Sequence, residues 1–452
     1  MIPISLSTLA DVLNAEQPST EMMISSISTD TRNIHDGALF VALKGERFDA
    51  HDFADKAVDA GASALVVEKK LPLDVPQLIV TDTRLALGAI GAWIFAQQQL
   101  KTVAITGSCG KTTVKEMVAT ILGQKASVLF TQGNFNNDIG VPLTLLSVTE
   151  EHQCAVIELG ANHIGEIAYT TRLVKPDIAL VNNVAEAHLE GFGSIEGVKQ
   201  AKGEIFQGLP VNGTAVVNLD SWGEELWQPV LADKSVVTFS LNDTNADLYA
   251  DNIELDDQVL PSFDVIYRGE RYPMSLPLSG RHNVSNALAA TAICLAFGCS
   301  MDDIKQGLQQ IHAVKGRVAI SSLNQNIKLI DDSYNASVPA MKAAVDLLAS
   351  MNGTRWLILG NMAELGDESL ALHRQVGEYA APYHFDYVLT FGDDAQVISD
   401  VNHGKHFATH QDMIAYIEQH IDNNKQQQVL LVKGANSSGM FNIATALKEK
   451  FA

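Results

Sequence analysis

An apolar, β-branched run at residues 102–106 passes directly into Thr106-Gly107-Ser108-Cys109-Gly110-Lys111-Thr112-Thr113, and the residues that follow have helical periodicity. A strand that enters a glycine-rich turn and leaves as a helix demands a sheet to carry the strand and a neighbouring surface to bury the helix. The chemistry is constrained as well. Glycines let backbone N–H groups close on phosphate oxygens, and the positive end of the following helix faces them. Lys111 would reach the terminal phosphates and Thr112 would coordinate Mg²⁺. Gly107, Ser108, Cys109, Gly110 and Thr113 would complete the cradle. The general phosphate-loop pattern wants a glycine five residues before Gly110; Ile105 stands there, and the glycine is at 107. A glycine-rich turn that binds nothing is the alternative reading.

Length and periodicity agree on an α/β chain of three units. At about 150 residues per domain, a chain of this length holds about three. Residues 1–82 read as short strands, at 38–43, 64–67 and 77–80, with one helix at 52–60. Residues 83–311 open with a helix at 85–100 and carry strands at 102–106, 154–159, 178–182 and 215–218. The first three of these strands alternate with helical segments, the pattern of a mostly parallel sheet covered on both faces. Residues 243–278 are strand-rich and punctuated by proline, which suggests an antiparallel excursion, and 283–297 is an apolar helix closed by Gly298. Residues 312–452 repeat the parallel pattern in a Rossmann-like unit, with strands at 328–331, 356–359, 387–390 and 429–432 and a helix at 339–351.

Composition narrows the function. Lys and Arg number 31 against 53 Asp and Glu, a formal charge of −22, which argues against nucleic acid as a partner. An anionic chain can still bind phosphate through a local cradle of N–H groups, a lysine and a metal ion. Hydrophobic residues make up 46%, ample for buried cores. The four cysteines form no CxxC pair, so neither a disulfide framework nor a zinc finger is expected. With no signal-peptide pattern and no apolar stretch of membrane-span length, the expectation is a cytoplasmic protein without membrane insertion.

Further residues carry chemistry beside the loop. Glu158 ends the apolar run Ala155-Val156-Ile157-Glu158, and ligands of parallel sheets sit beyond the carboxyl ends of strands, so this carboxylate can hold a metal or simply face solvent. Asn182, Asn183 and His188 follow the next strand; His188 is either a neutral imidazole ligand or a structural histidine. Lys199 and Lys202 share a helix face, where solvated lysines are the ordinary outcome. Asp331-Asp332-Ser333 reads as an N-cap that opens a helix, or as a ligand-binding strand end. Arg317 can present its guanidinium to a phosphate, or lie on the surface.

Taken together these residues resemble the Mur ligase family of ATP-dependent amino-acid ligases, and the likeness covers the whole chain. The compressed loop is that family's own form. Ser28-Thr29-Asp30-Thr31-Arg32, the block Gly37 to Gly45 and His51-Asp52-Phe53 resemble its UDP-binding domain. Gly133-Asn134-Phe135-Asn136-Asn137-Asp138-Ile139-Gly140, Ile157 to Asn162, Gly280 to Ala287 and Asp331 to Ala336 are further matches. Gly360-Asn361-Met362-Ala363-Glu364-Leu365-Gly366 is most similar to the branch that couples D-alanyl-D-alanine to a UDP-linked muramoyl tripeptide.

The resemblance implies roles. Lys111 and Thr112 hold ATP phosphates and a first Mg²⁺; Glu158 and His188 approach a second; Lys202 becomes a carbamate directed at the metal. Asn286 stands on the adenine side, and Arg317 and Asp332 reach ATP from the third unit. Ser28, Asp30, Arg32, Lys44 and Gly45 bind the UDP end, and Asn137 and Asn335 lie toward the peptide substrates. Asn361 stands where an Asp is often found, and Asn436 where the family usually has Arg. The implied reaction is ligation through an acyl phosphate by a monomer, with closure of the third unit about residues 312–316. Folylpolyglutamate synthase, which shares the loop, and a nucleotide-dependent switch are the alternatives.

Overall fold

The computed structural model describes residues 1–45, 48–186, 189–221, 223–312, 316–421 and 427–451. Three larger sheets and a two-stranded ladder carry it. The first has strands Ile27–Ser28, Ala38–Val41, Ala62–Val67 and Gln77–Ile79, adjacent in that order and all parallel. Ahead of it, Ile4–Ser5 pairs antiparallel with Met23–Ile24, and Ser5 caps a helix, Leu6–Leu13, that the sequence reading did not include.

The second sheet has nine strands. From one edge they run Glu270–Ser275, Pro261–Tyr267, Leu248–Leu255, Ser235–Ser240, Thr214–Asn218, Ile178–Val181, Lys101–Thr106, Cys154–Glu158 and Val128–Phe130. Pairing is parallel from Val128–Phe130 through to Leu248–Leu255, and the last two strands are the expected antiparallel excursion. Strand Lys101–Thr106 shows why the sheet is covered on both faces. Val103 and Ile105 pack into one core, Ala104 into the other, and all three are fully buried. Full burial of each branched side chain contributes about 1.5–3 kcal/mol. The core holding Ala104 and Ile157 runs without a break into Leu39, Val41, Ala64 and Val66 of the small sheet. Helix Thr83–Ala96 lies in it, with Asp82 accepting from the Leu85 amide as its N-cap.

The third sheet runs Ala319–Ser322, Ile327–Asp332, Gln428–Lys433, Thr354–Gly360, Tyr387–Phe391 and Lys405–Phe407, parallel except at the first pair. Here the sequence reading is corrected at one point. Asp331 and Asp332 do not cap a helix; they complete strand Ile327–Asp332, in register with Val432 and Lys433. The helix opens later, as Val338–Ala349, with a proline in its first turn. Residues 313–315 of the expected hinge lie outside the described residues. No helix among the described residues is long and apolar enough to cross a membrane.

Strand Lys101–Thr106 sits between Ile178–Val181 and Cys154–Glu158, and the chain leaves it on one side and returns on the other. That is a topological switch point, where a crevice opens beyond the carboxyl ends of the strands.

Candidate active site

The crevice is a cavity of about 1060 Å³ lined by the glycine-rich turn, Glu158, Asn183, Asn286 and, from the third sheet, Arg317, Asp332 and Lys433. Gly107 and Gly110 have φ of +151° and +75°. Gly110 is the N-cap of helix Lys111–Gly123, and a Cβ there would collide with the amides of Asn286 and Asn182. The turn is therefore pressed against two asparagines, and only glycine fits the conformation and the space. Asn182 and Asn183 hold it from behind. Both side chains donate to the Cys109 carbonyl, at 2.9 and 3.1 Å, and Asn183 Oδ1 accepts from the Cys109 amide at 2.8 Å. Asn182 also donates to Asn286 Oδ1 at 3.1 Å, and Asn286 donates to Asn283 at 3.0 Å.

Lys111 curls back over the turn, its Nζ donating to the Gly107 carbonyl at 2.7 Å. Desolvation holds its pKa below the ordinary lysine value, opposed by the nearby Glu158 charge. Thr112 Oγ1 donates to Glu158 Oε2 at 2.8 Å, and Asn136 Nδ2 donates to Oε1 at 2.8 Å. Glu158 is 1% exposed, and its own amide donates to Thr131 Oγ1 at 2.9 Å. A carboxylate and a hydroxyl side by side form a hard, oxygen-only donor set that suits Mg²⁺. Among the described residues no three His, Cys, Asp or Glu side chains converge on one point. An ion here would take its remaining ligands from phosphates and water, the usual habit of Mg²⁺.

Lys202, on helix Ile195–Gly203, is 1% exposed with its Nζ 5.1 Å from the Phe192 ring centroid. It is not the solvated lysine ordinarily expected on a helix face. Burial, reinforced by the charge of Lys111, brings its pKa down from 10.5 to about 7. His188 lies outside the described residues.

The third sheet brings its own groups to the crevice. Asp332 and Lys433 form a buried pair at 2.6 Å, and Lys433 also donates to the Asn335 carbonyl at 2.9 Å. The Arg317 guanidinium stacks on Tyr334, 4.3 Å from the ring centroid, and its Nε is buried without a partner. Next to it Val318 has φ +53°, a strained setting for a β-branched residue, and its amide donates to Asp332 Oδ1 at 3.2 Å. Cys109 Sγ lies 3.1 Å from Ser337 Oγ at the start of helix Val338–Ala349, so the turn and the third sheet's first helix touch. Asn335 and Asn137 line the same cavity; Asn137 also accepts from the amide of Gly140, the first residue of helix Gly140–Leu146, at 2.8 Å. Asn436 is in the lining, whereas Asn361 is engaged elsewhere, accepting from the Ala395 amide at 2.8 Å.

Ser28, Asp30, Arg32, Lys44 and Gly45 are not part of this cavity. They cluster at the carboxyl ends of the small sheet's first two strands. Ser28 Oγ donates to the Asp30 carbonyl at 2.9 Å, Arg32 pairs with Asp30 at 2.6 Å, and the Gly45 amide donates to Phe48. The half-buried Asp30 carboxyl has its pKa lowered to about 2, first by its hydrogen bond from the Arg32 side chain.

Sequence reasoning missed Thr131 and Ser337, and it noted Lys433, Asn136, Asn182 and Asn183 without giving them a role. A signal existed for Lys433. It ends an apolar run as Asp332 ends its own, and opposite charges at the ends of two buried strands invite pairing.

A phosphate-cradling turn at the switch point of a parallel sheet, faced by a second α/β unit, defines a nucleotide-binding enzyme of the phosphate-loop class. Three family models match successive parts of the chain: Mur ligase family, catalytic domain, over residues 23–99; Mur ligase middle domain over 105–294; and Mur ligase, glutamate ligase domain over 316–436. The chain belongs to the Mur ligase family. It is 50% identical over 452 residues, 99% of each chain, to UDP-N-acetylmuramoyl-tripeptide–D-alanyl-D-alanine ligase of Escherichia coli K12. Among solved structures it is similar to MurF of Acinetobacter baumannii, with a TM-score of 0.93, 36% identity and 100% of both chains covered. It is also similar to MurF of Thermotoga maritima in complex with ADP, with a TM-score of 0.85, 25% identity and coverage of 94% of this chain and 97% of that one.

Proposed function

We propose that the protein joins D-alanyl-D-alanine to UDP-N-acetylmuramoyl-tripeptide at the expense of ATP. The observation that carries this reading is the contact of Thr112 with buried Glu158 directly under the Lys111 turn. It supplies one cation and one oxygen-donor pair where a triphosphate's terminal oxygens would lie, and the likeness to the Escherichia coli ligase supplies the substrates.

The γ-phosphoryl group is anionic, and a carboxylate must approach it. Lys111 reduces that repulsion, and Mg²⁺ held by Thr112 and Glu158 with the phosphates would supply further charge compensation. The tripeptide carboxylate attacks phosphorus, ADP departs, and an acyl phosphate remains on the substrate. The dipeptide amine then attacks the carbonyl carbon, and the tetrahedral adduct expels phosphate. No side chain need become covalently attached. Arg317 and Asp332 meet the nucleotide from the third unit, Asn286 lies toward its base, and closure around them excludes water from the acyl phosphate.

We assign residues 1–82 to the UDP end of the substrate, 83–311 to ATP and 312–452 to the dipeptide, with Asn137 and Asn335 between the reacting ends. His188 and Lys202 would serve a second Mg²⁺. Lys202 reaches that role as a carbamate: its neutral Nζ bonds to the carbon of CO₂ and releases one proton, which leaves a carboxylate in place of an amine. Burial and a lowered pKa favour the neutral form this requires. We take the acting species to be a monomer. Both ATP and a nucleotide-linked precursor are cytoplasmic compounds, and we place the protein in the cytoplasm.

The test is phosphate release from ATP with UDP-muramoyl tripeptide and D-alanyl-D-alanine, each omitted in turn. Release that needs both is expected. Release with neither would indicate a switch, and release driven by a folate and glutamate would indicate the folate ligase alternative.

A further inference from the structure

Lys115 lies one turn beyond Lys111 on the same helix, where a lysine ordinarily faces water. It is 1% exposed. Its Nζ donates to the Thr131 carbonyl at 2.7 Å and to Glu116 Oε1 at 2.6 Å, and it lies 5.3 Å from the Phe130 ring centroid. Burying an ammonium is costly, and it is tolerated here because charge-assisted bonds satisfy it. The bond to Thr131 crosses from the phosphate-loop helix to the end of edge strand Val128–Phe130, while Glu116 lies on the helix itself.

The partner it holds is not incidental. Thr131 is fully buried, and its hydroxyl accepts the Glu158 amide at 2.9 Å. Its amide in turn donates to the Val156 carbonyl. Lys115 thus grips the main chain of the residue whose hydroxyl accepts the Glu158 amide, while Thr112 on the same helix grips the Glu158 carboxylate. Helix and carboxylate are tied at two points, and the distance between Thr112 and Glu158 is set by both. Lys115 also neutralises Glu116, whose residue lines the cavity, so that this carboxylate does not face an incoming triphosphate unpaired.

We propose that Lys115 is a positioning residue that acts through Thr131 to hold Glu158 at the spacing from Thr112 that a divalent cation on the nucleotide requires. This rests on the reading of the turn as an ATP site. It assigns Lys115 no contact with substrate.

The test is Mn²⁺ uptake by the full-length protein in the presence of ADP, followed by electron paramagnetic resonance, with circular dichroism to establish folding. Lys115→Met keeps the apolar stem over Phe130 and removes the donors. It is expected to weaken Mn²⁺ about tenfold, the scale seen when the support of a metal ligand is removed. KM for Mg-ATP should rise while KM for the two peptide substrates stays unchanged, and Lys115→Arg should recover most of the loss. A folded Lys115→Met with wild-type Mn²⁺ affinity overturns the proposal. Should that variant not fold, Thr131→Ser and Thr131→Val decide. Val, which cannot accept the Glu158 amide, should lose Mn²⁺ affinity and Ser should not; equal, wild-type affinity in both overturns it. Wild-type protein that takes up no Mn²⁺ with ADP refutes the ATP site itself, a result distinguishable from every variant outcome.

Discussion

Thr112 Oγ1 donates to Glu158 Oε2 at 2.8 Å, although the two residues lie on different elements 46 positions apart in the chain. Parallel pairing makes this possible. Ile105 stands in register with Glu158, so the turn that follows Thr106 rises directly over the carboxylate. Any cation that replaces the hydroxyl proton as the bridge meets two oxygens already placed.

Glu158→Gln tests that arrangement with little change of shape. The amide keeps a hydrogen-bonding group for Thr112 and for Asn136 but removes the negative charge. Ligation should fall by at least about a hundredfold in kcat, as expected when charge stabilisation at the reacting group is lost. Thermal stability should change little. Steady-state phosphate release and a thermal melt read the two quantities, and near-normal turnover would remove Glu158 from the metal.

Lys202 gives a pH-dependent prediction of definite sign. Its pKa is about 7 in the folded chain against 10.5 for a free lysine. Between these values the unfolded chain holds a proton that the folded one has lost, so stability rises with pH through that window. Below about 7 the penalty of burying the ammonium is present in full. Lys202→Met, in CO₂-free buffer, should therefore melt higher than wild type at pH 6, and the gap should narrow toward pH 10. With ¹³CO₂ supplied, a carbamate resonance on wild-type protein should appear above about pH 7 and fade below it. Lys202→Ala should be severely impaired in turnover and partly rescued by short carboxylates.

Much of the fold was legible because its signals are local. The run 102–113 holds strand, turn and helix start in one window, and the apolar run before Glu158 marks a strand end. Long-range facts left no such trace. Asp331-Asp332-Ser333 has cap chemistry, but pairing with Gln428–Lys433, about 100 positions away, extends the strand through it. Strand Ser235–Ser240 does not alternate, its first residues being exposed and its last two buried, so its sequence carries no alternating strand signal. Lys115 and Lys202 show the same limit at the site: a lysine on a helix reads as solvated until the elements packed over it are known. Asn182 stood at the right strand end, yet its function as a brace for Cys109 depends on a turn 73 residues earlier.

The Asp332–Lys433 pair ties the carboxyl ends of two buried strands, with side chains only 12% and 4% exposed. Asp332→Asn removes the charge that balances the ammonium and leaves one amide oxygen where two carboxylate oxygens accepted from Lys433 and the Val318 amide. Removing one partner of a buried ion pair costs about 3–5 kcal/mol. The midpoint of urea unfolding should drop accordingly, and adding Lys433→Met should restore most of it, because the stranded charge goes too. A double variant no more stable than the single one would show that the pair contributes through something other than charge compensation.

Gly110→Ala asks whether the turn must be as tight as it is. At φ +75° an alanine is disfavoured by about 1–2 kcal/mol before any contact is considered. Its Cβ would also strike the amides of Asn286 and Asn182. Those amides cannot simply swing aside, since Asn182 is bonded to Cys109 and to Asn286, and Asn286 to Asn283. The strain must therefore go into the turn, which would move the N–H groups that face the cavity. The protein should still fold, because this end of the helix lies at the cavity and not in the core, but ADP affinity measured by calorimetry should fall by at least about tenfold, or 1.4 kcal/mol. Adding Asn286→Ala removes one of the two collisions and leaves that with Asn182 and the φ cost, so affinity should return only in part. Full recovery would show that crowding alone closes the turn, and no loss in the single variant would show that the loop is not the phosphate cradle.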